Sequence, residues 1–151
     1  MGTYKTVLFN TLTNLIEVAP IASTDYLGQT ASVGPIVLTT PVDNGVYRVS
    51  VYEECTVAGA AAGGSPYGTG LYGSGVYNPA NDTLQTTIYW TDEAGTRFTT
   101  PIITPLDLSD TNASSGSTVV RSVSGQPISF SSTLVKTGSP TYGVSVRIER
   151  L

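Results

Sequence analysis

The chain has no histidine, one cysteine, one tryptophan, and only 12% charged residues. Without histidine, nucleophile activation of the Ser-His or Cys-His kind is excluded. Zinc sites that use imidazole are excluded with it. A single cysteine, Cys55, excludes an internal disulfide. Basic residues number 7 against 11 acidic ones, are scattered, and leave a formal net charge of -4. Nucleic-acid binding needs clustered Lys and Arg to neutralise phosphate, so it is not expected. No apolar run approaches the ~20 residues of a membrane-spanning helix. The N-terminus lacks a basic segment followed by an apolar run and a small-residue cleavage site, so cytoplasmic synthesis without export by that route is expected. No long stretch carries helical periodicity.

What is present is β chemistry. The chain holds 23 Thr, 16 Ser and 9 Tyr, residues that together with Val and Ile suit pleated, half-buried surfaces. The clearest strand is 45–58, GVYRVSVYEECTVA. Tyr47, Val49 and Val51 fall on one face; Val46, Arg48, Ser50 and Tyr52 fall on the other. Such alternation predicts one face in a core and one in water. Cys55 is in phase with the first set and is expected to be a small buried side chain. The C-terminus repeats the pattern, with Tyr142, Val144, Val146 and Ile148 against Gly143, Ser145, Arg147 and Glu149. These two strands are expected at the centre of a sheet.

Further strands are predicted along the chain. Short ones are read around residues 5–10 and 15–18, although an extended arm fits 1–24 equally well. Gly34-Pro35 reads as a turn or bulge, with a strand starting at Ile36. Asp43-Asn44-Gly45 supplies residues that tolerate positive φ and reads as a tight hairpin turn. Residues 83–91 place Leu84, Thr86, Ile88 and Trp90 on one face, with Trp90 expected to be largely buried. A turn at 92–95 leads into a strand at 96–103, which Pro101 and Pro105 mark as an edge or a bulged strand. Residues 106–117 read as a polar loop. Strands at 117–124 and 128–134 follow, and Gly125 and Pro127 turn the chain between them. About eight strands between Gly/Pro turns predict an all-β fold, an antiparallel β-sandwich or jelly roll. The expected layout is an N-terminal arm or short strands at 1–24, then a single domain at 25–151 with a loop insertion at 59–82.

That loop is the stretch of most functional interest. It contains a tandem repeat, Tyr67-Gly-Thr-Gly-Leu71 then Tyr72-Gly-Ser-Gly-Val76, followed by Tyr77. Loops this long are functional or unstructured more often than not. Tyr among Gly and Ser is the composition of adaptable contact surfaces. Tyr67, Tyr72 and Tyr77, with Leu71 and Val76 between them, are therefore candidate partner contacts, as are Phe9 and Leu12 in the arm. A Gly-rich tether or edge strand is the alternative. Gly68 to Gly73 also matches G-x-G-x-x-G, but no helix can begin before Asn78-Pro79, so a dinucleotide site is not expected.

No catalytic set emerges, and no cofactor or metal is expected. Glu53-Glu54 and Asp92-Glu93 read as solvated charges, since neighbours on a strand face opposite ways and the second pair lies in a turn. Asp107 and Asp110 lack the spacing of a calcium loop. Asn81-Asp-Thr83 and Asn112-Ala-Ser114 fit the N-glycosylation pattern, which is discounted where no export is expected.

Three segments, YRVSVYEE (47–54), TIYWTDEAGTRFT (87–99) and GQPISFSSTLVKTGSPTYGVSVRIERL (125–151), resemble a recurring type of small tailed-bacteriophage virion protein. The resemblance covers residues 30–151 and leaves out the arm and the Tyr/Gly repeat. It implies a jelly-roll domain that decorates capsids or sits on tail and fibre assemblies. The implied partners are the major capsid protein or other virion proteins, with self-association into a homo-oligomer, expected to be a trimer. The implied location is the virion. A capsid decoration, or cement, role is the first expectation. A tail or fibre protein binding host receptor or glycan through Tyr67, Tyr72, Tyr77 and Tyr89 is the second.

Overall fold

The computed structural model describes residues 8–9, 16–17, 21–59 and 82–151. Leu8–Phe9 (β1) and Ile16–Glu17 (β2) form a small antiparallel pair, with Phe9 opposite Ile16. Nine further strands build two antiparallel sheets. They are Ala22–Gln29 (β3), Val33–Thr39 (β4), Gly45–Val57 (β5), Thr83–Asp92 (β6), Gly95–Thr99 (β7), Leu106–Asp107 (β8), Ala113–Ser122 (β9), Ile128–Val135 (β10) and Thr141–Arg150 (β11). The strand orders are β3-β11-β5-β9 and β4-β10-β6-β7, with β8 also paired to β6.

These orders follow from one nested pairing. First pairs with last (β3 with β11), then β4 with β10, β5 with β9, and β6 with β7 as the innermost hairpin. A ribbon paired in this way, wrapped so that successive pairs fall in alternate sheets, is a jelly roll, which hides apolar faces between two sheets. The β5–β11 and β6–β10 ladders then zip the pairs together. The two strands with the cleanest alternation, β5 and β11, are the central pair of their sheet, as expected.

The core lies between the sheets. Val49, Val144, Val146 and Ile148 from one sheet meet Leu84, Ile88, Ile128 and Phe130 from the other, all with no exposed area. Full burial of such side chains is worth about 1.5–3 kcal/mol each before entropy is counted. Tyr26 closes one side by meeting Phe130 edge-on, with ring centroids 6.0 Å apart. The Tyr142 hydroxyl, buried with its ring, donates to the Ala31 carbonyl at 2.8 Å. Trp90 is only half-buried and packs against this core from its rim.

Several local expectations change. β3 begins at Ala22, inside the expected 1–24 arm, because the strand pairs with β11 from Ala22 to Gln29. Asn44-Gly45 is not a hairpin turn: β4 and β5 belong to different sheets, and Gly45 does not take a positive φ, as Gly28, Gly95 and Gly125 do among the described residues. Gly34-Pro35 forms a bulge inside β4, where the register against β10 shifts. Residues 106–117 are not all loop, since β8 and the start of β9 lie within them. β7 is an edge strand, as Pro101 implied, and stops at Thr99.

The chain beyond β7 packs its Pro101 carbonyl directly against Gly116 of β9, where a Cβ would collide with that backbone oxygen. Neither partner is the end of a flexible side chain. Gly116→Ala is therefore expected to cost about 1–3 kcal/mol, as overpacking does. A thermal melt lower by roughly 2–4 °C per kcal/mol would show it; an unchanged melt would contradict the packing.

Candidate functional site

Tyr67, Leu71, Tyr72, Val76, Tyr77 and Leu12 lie outside the described residues, and Phe9 is described only as a backbone position of β1. The stems of the Tyr/Gly segment are well defined. The Gly59 N–H donates to the Leu108 carbonyl at 2.8 Å, and the Leu108 N–H donates to the Asp82 carbonyl at 2.8 Å. Gly59 and Asp82 are therefore held together, one on each side of the Leu108 peptide groups. The buried Asp82 side chain reinforces this arrangement. Its carboxylate accepts hydrogen bonds from the N–H groups of Thr137 and Gly138 and from the Thr137 hydroxyl. Burial by itself would push this carboxyl upward, but these donors, with Lys136 nearby, outweigh it and hold the group below the ordinary range.

The strand positions 53 and 54 divide in an unexpected way. Glu54 stays on the outer face, but Glu53 is fully buried among core residues, in phase with Tyr47, Val49, Val51 and Cys55. Neither of its carboxyl oxygens makes a hydrogen bond of acceptable geometry. Thr86 lies close by, and its hydroxyl shares a hydrogen bond with the Ser132 hydroxyl at 2.7 Å. Burial pushes the Glu53 carboxyl up, with Thr86 offsetting only part of this. Its proximity, after burial itself, also helps raise the Tyr142 phenol. Cys55 is buried as expected, and burial raises its thiol above the ordinary range. A protonated thiol sealed in a core is a poor nucleophile.

A surface site emerges on the outer face of β3-β11-β5-β9. Cross-strand register puts Ser145, Tyr52 and Ser115 in one row across three strands, and Arg147, Ser50 and Ser117 in the next. These six side chains, with Val51 and Gly116, line an open trough of about 480 Å³. Ligand pockets run from about 300 to 1,000 Å³. Among the described residues, none of the four serine hydroxyls makes a hydrogen bond, and Arg147 has no carboxylate or carbonyl partner. The other described basic side chains each have one. Arg48 pairs with Glu149, Arg97 with Asp92 and Arg121 with Glu93; Arg150 and Lys136 reach the Asn44 and Thr30 carbonyls.

Sequence reasoning did not single out this trough, because its members are scattered over three strands. The available signal was polar residues two apart on the water-facing side of each strand: Ser50/Tyr52, Ser115/Ser117 and Ser145/Arg147. Tyr89, expected as a stacking platform, sits on the other sheet. It packs against Phe98 with ring centroids 6.4 Å apart, and its hydroxyl meets Ser131 at 3.2 Å. Among the described residues, no group of three or more metal-ligating side chains occurs.

No known protein family and no curated protein matches this sequence. Among solved structures, the CBM22-1 xylan-binding domain of Paenibacillus barcinonensis Xyn10C shares 15% identity, covers 85% of this chain and 71% of its own, and superposes with a TM-score of 0.43. The CBM22-1 and GH10 modules of Clostridium thermocellum Xyn10B, complexed with xylohexaose, share 12% identity over 76% of this chain and 18% of theirs, with a TM-score of 0.37. Eiger TNF from S. frugiperda shares 10% identity over 88% and 94%, with a TM-score of 0.38. At these scores the likeness goes no further than a β-sandwich.

Proposed function

We propose that this chain is a non-enzymatic bacteriophage virion protein, a capsid decoration (cement) protein that binds the outer shell and stabilises the head. The observation that carries this reading is where the three virion-like segments fall. They supply much of β5 and β6 and all of β10 and β11, the central pair of each sheet, together with the edge strand β7. The resemblance thus concerns the framework of the domain. Catalysis is not part of the reading: the buried carboxyl of Glu53 and the buried thiol of Cys55 face the core instead of a substrate.

A cement protein works by covering surface, and a rigid two-sheet sandwich suits that work. The major capsid protein is the partner, and the chain acts as a trimer at local symmetry points of the shell, one of the closed symmetric arrangements open to homo-oligomers. The test is thermal. Decorated shells are expected to melt at higher temperature than shells stripped of the protein, with the difference restored on adding it back. Equal melting of bare and decorated shells would end this reading.

A further inference from the structure

We propose that the trough on β11, β5 and β9 binds a carboxylate-bearing saccharide. Arg147 takes the carboxylate, Ser50, Ser115, Ser117 and Ser145 take ring hydroxyls, and Tyr52 takes the apolar face of one sugar ring. Each part follows from chemistry on this face. A serine hydroxyl both donates and accepts, so four of them without intramolecular partners match a ligand dense in hydroxyls. Tyr52 is 43% exposed at the trough wall, and its ring offers a flat apolar surface with a polar tip. Arg147 presents a planar fork that fits a carboxylate in two-point contact.

The surrounding charge narrows the ligand further. Asp25 stands beside Ser145, Glu54 lies two positions from Tyr52 on the same face, and Glu149 lies two positions from Arg147. These carboxylates disfavour a closely spaced polyanion such as nucleic acid. A single carboxylate among several hydroxyls is complementary to one unpaired guanidinium set in a row of serines. The trough is open, so a chain of sugars can extend past it. This site contains no residue of the Tyr/Gly segment and does not depend on a virion location.

The test is an NMR titration of the whole chain with sialyllactose and a hyaluronan tetrasaccharide, against lactose and maltotetraose as neutral probes. Saturable amide shifts are expected at Ser50, Tyr52, Ser117, Ser145 and Arg147 with at least one acidic probe. That probe should bind roughly tenfold or more tighter than lactose, the scale of one charge-assisted hydrogen bond. Arg147→Gln should lose roughly that factor, and Tyr52→Ala a few-fold, with unchanged melting temperatures. Arg121→Gln, on the same sheet but paired with Glu93, should leave affinity intact. No saturable shift with either acidic probe at millimolar concentration would overturn the assignment. So would equal affinity for acidic and neutral probes, or shifts confined to other residues. If Arg147→Gln does not fold, the shift map and the acidic-to-neutral ratio of the unaltered chain decide.

Discussion

Asp82→Ala is expected to be the most damaging single substitution outside the apolar core, costing about 3 kcal/mol, the upper range for a lost charge-assisted hydrogen bond. Asp82 has no exposed area, and its carboxylate is the acceptor for the Thr137 and Gly138 N–H groups. Alanine leaves those donors facing a void. The melting temperature should fall by roughly 6–12 °C at 2–4 °C per kcal/mol. Amide exchange at Thr137 and Gly138 should accelerate more than exchange in β5. Asp82→Asn keeps one acceptor oxygen and should lose less. The pH dependence has a definite sign. The folded carboxyl lies below its ordinary value, so its contribution is present above that value and disappears as pH falls through the folded one. The gap between the unaltered chain and Asp82→Ala should therefore close in strong acid. A gap that persists there would mean that packing, not the charge, is what Asp82 supplies.

How much of this was legible in the sequence depends on whether the signal was local. β5 and β11 announced themselves because their inner positions are Tyr, Val and Ile while their outer ones are polar, and both are flanked by chain breakers. β3 did not. Its half-buried positions include Ala22, Thr24 and Gln29, with only Tyr26 strongly apolar, because an edge strand covers less of the core. Asn44-Gly45 is a strong hairpin signal only when the flanking strands pair. Here the chain crosses between sheets, which is decided by the nested pairing of the whole ribbon and not by the dipeptide.

The candidate site was less legible for the same reason. Ser50, Ser115 and Ser145 are separated by long stretches of sequence and become neighbours only through the registers Ser50–Ser117, Tyr52–Ser115 and Tyr52–Ser145. No local pattern encodes those registers. The Tyr/Gly repeat, by contrast, is local and conspicuous. The flanking Gly59 and Asp82 are both held by Leu108, a long-range arrangement that glycine spacing could not reveal.

Glu53 is where local reasoning had the right information and drew the wrong conclusion. Position 53 is two residues beyond Val51, so the alternation that buries Val49 and Val51 buries Glu53 as well; chemistry alone suggested water. The physical consequence is a core that bears a cost. An unsatisfied buried polar group is destabilising by about 1–3 kcal/mol, and more if charged. Glu53→Met, similar in length and without the carboxyl, is therefore expected to raise stability by about that amount at neutral pH. Glu53→Gln should gain less, because its amide would also lack partners. The sign with pH is opposite to that of Asp82. Burial raises the folded carboxyl above its ordinary value. Between the ordinary and raised values, the folded chain holds a proton that the unfolded chain has released. Stability of the unaltered chain should thus fall as pH rises through that window and stay low above it, while both variants lose this slope. Urea unfolding across that range measures it directly. If Glu53→Met proves less stable than the unaltered chain at neutral pH, the carboxyl has a partner in the folded protein, and its burial contributes to stability instead of opposing it.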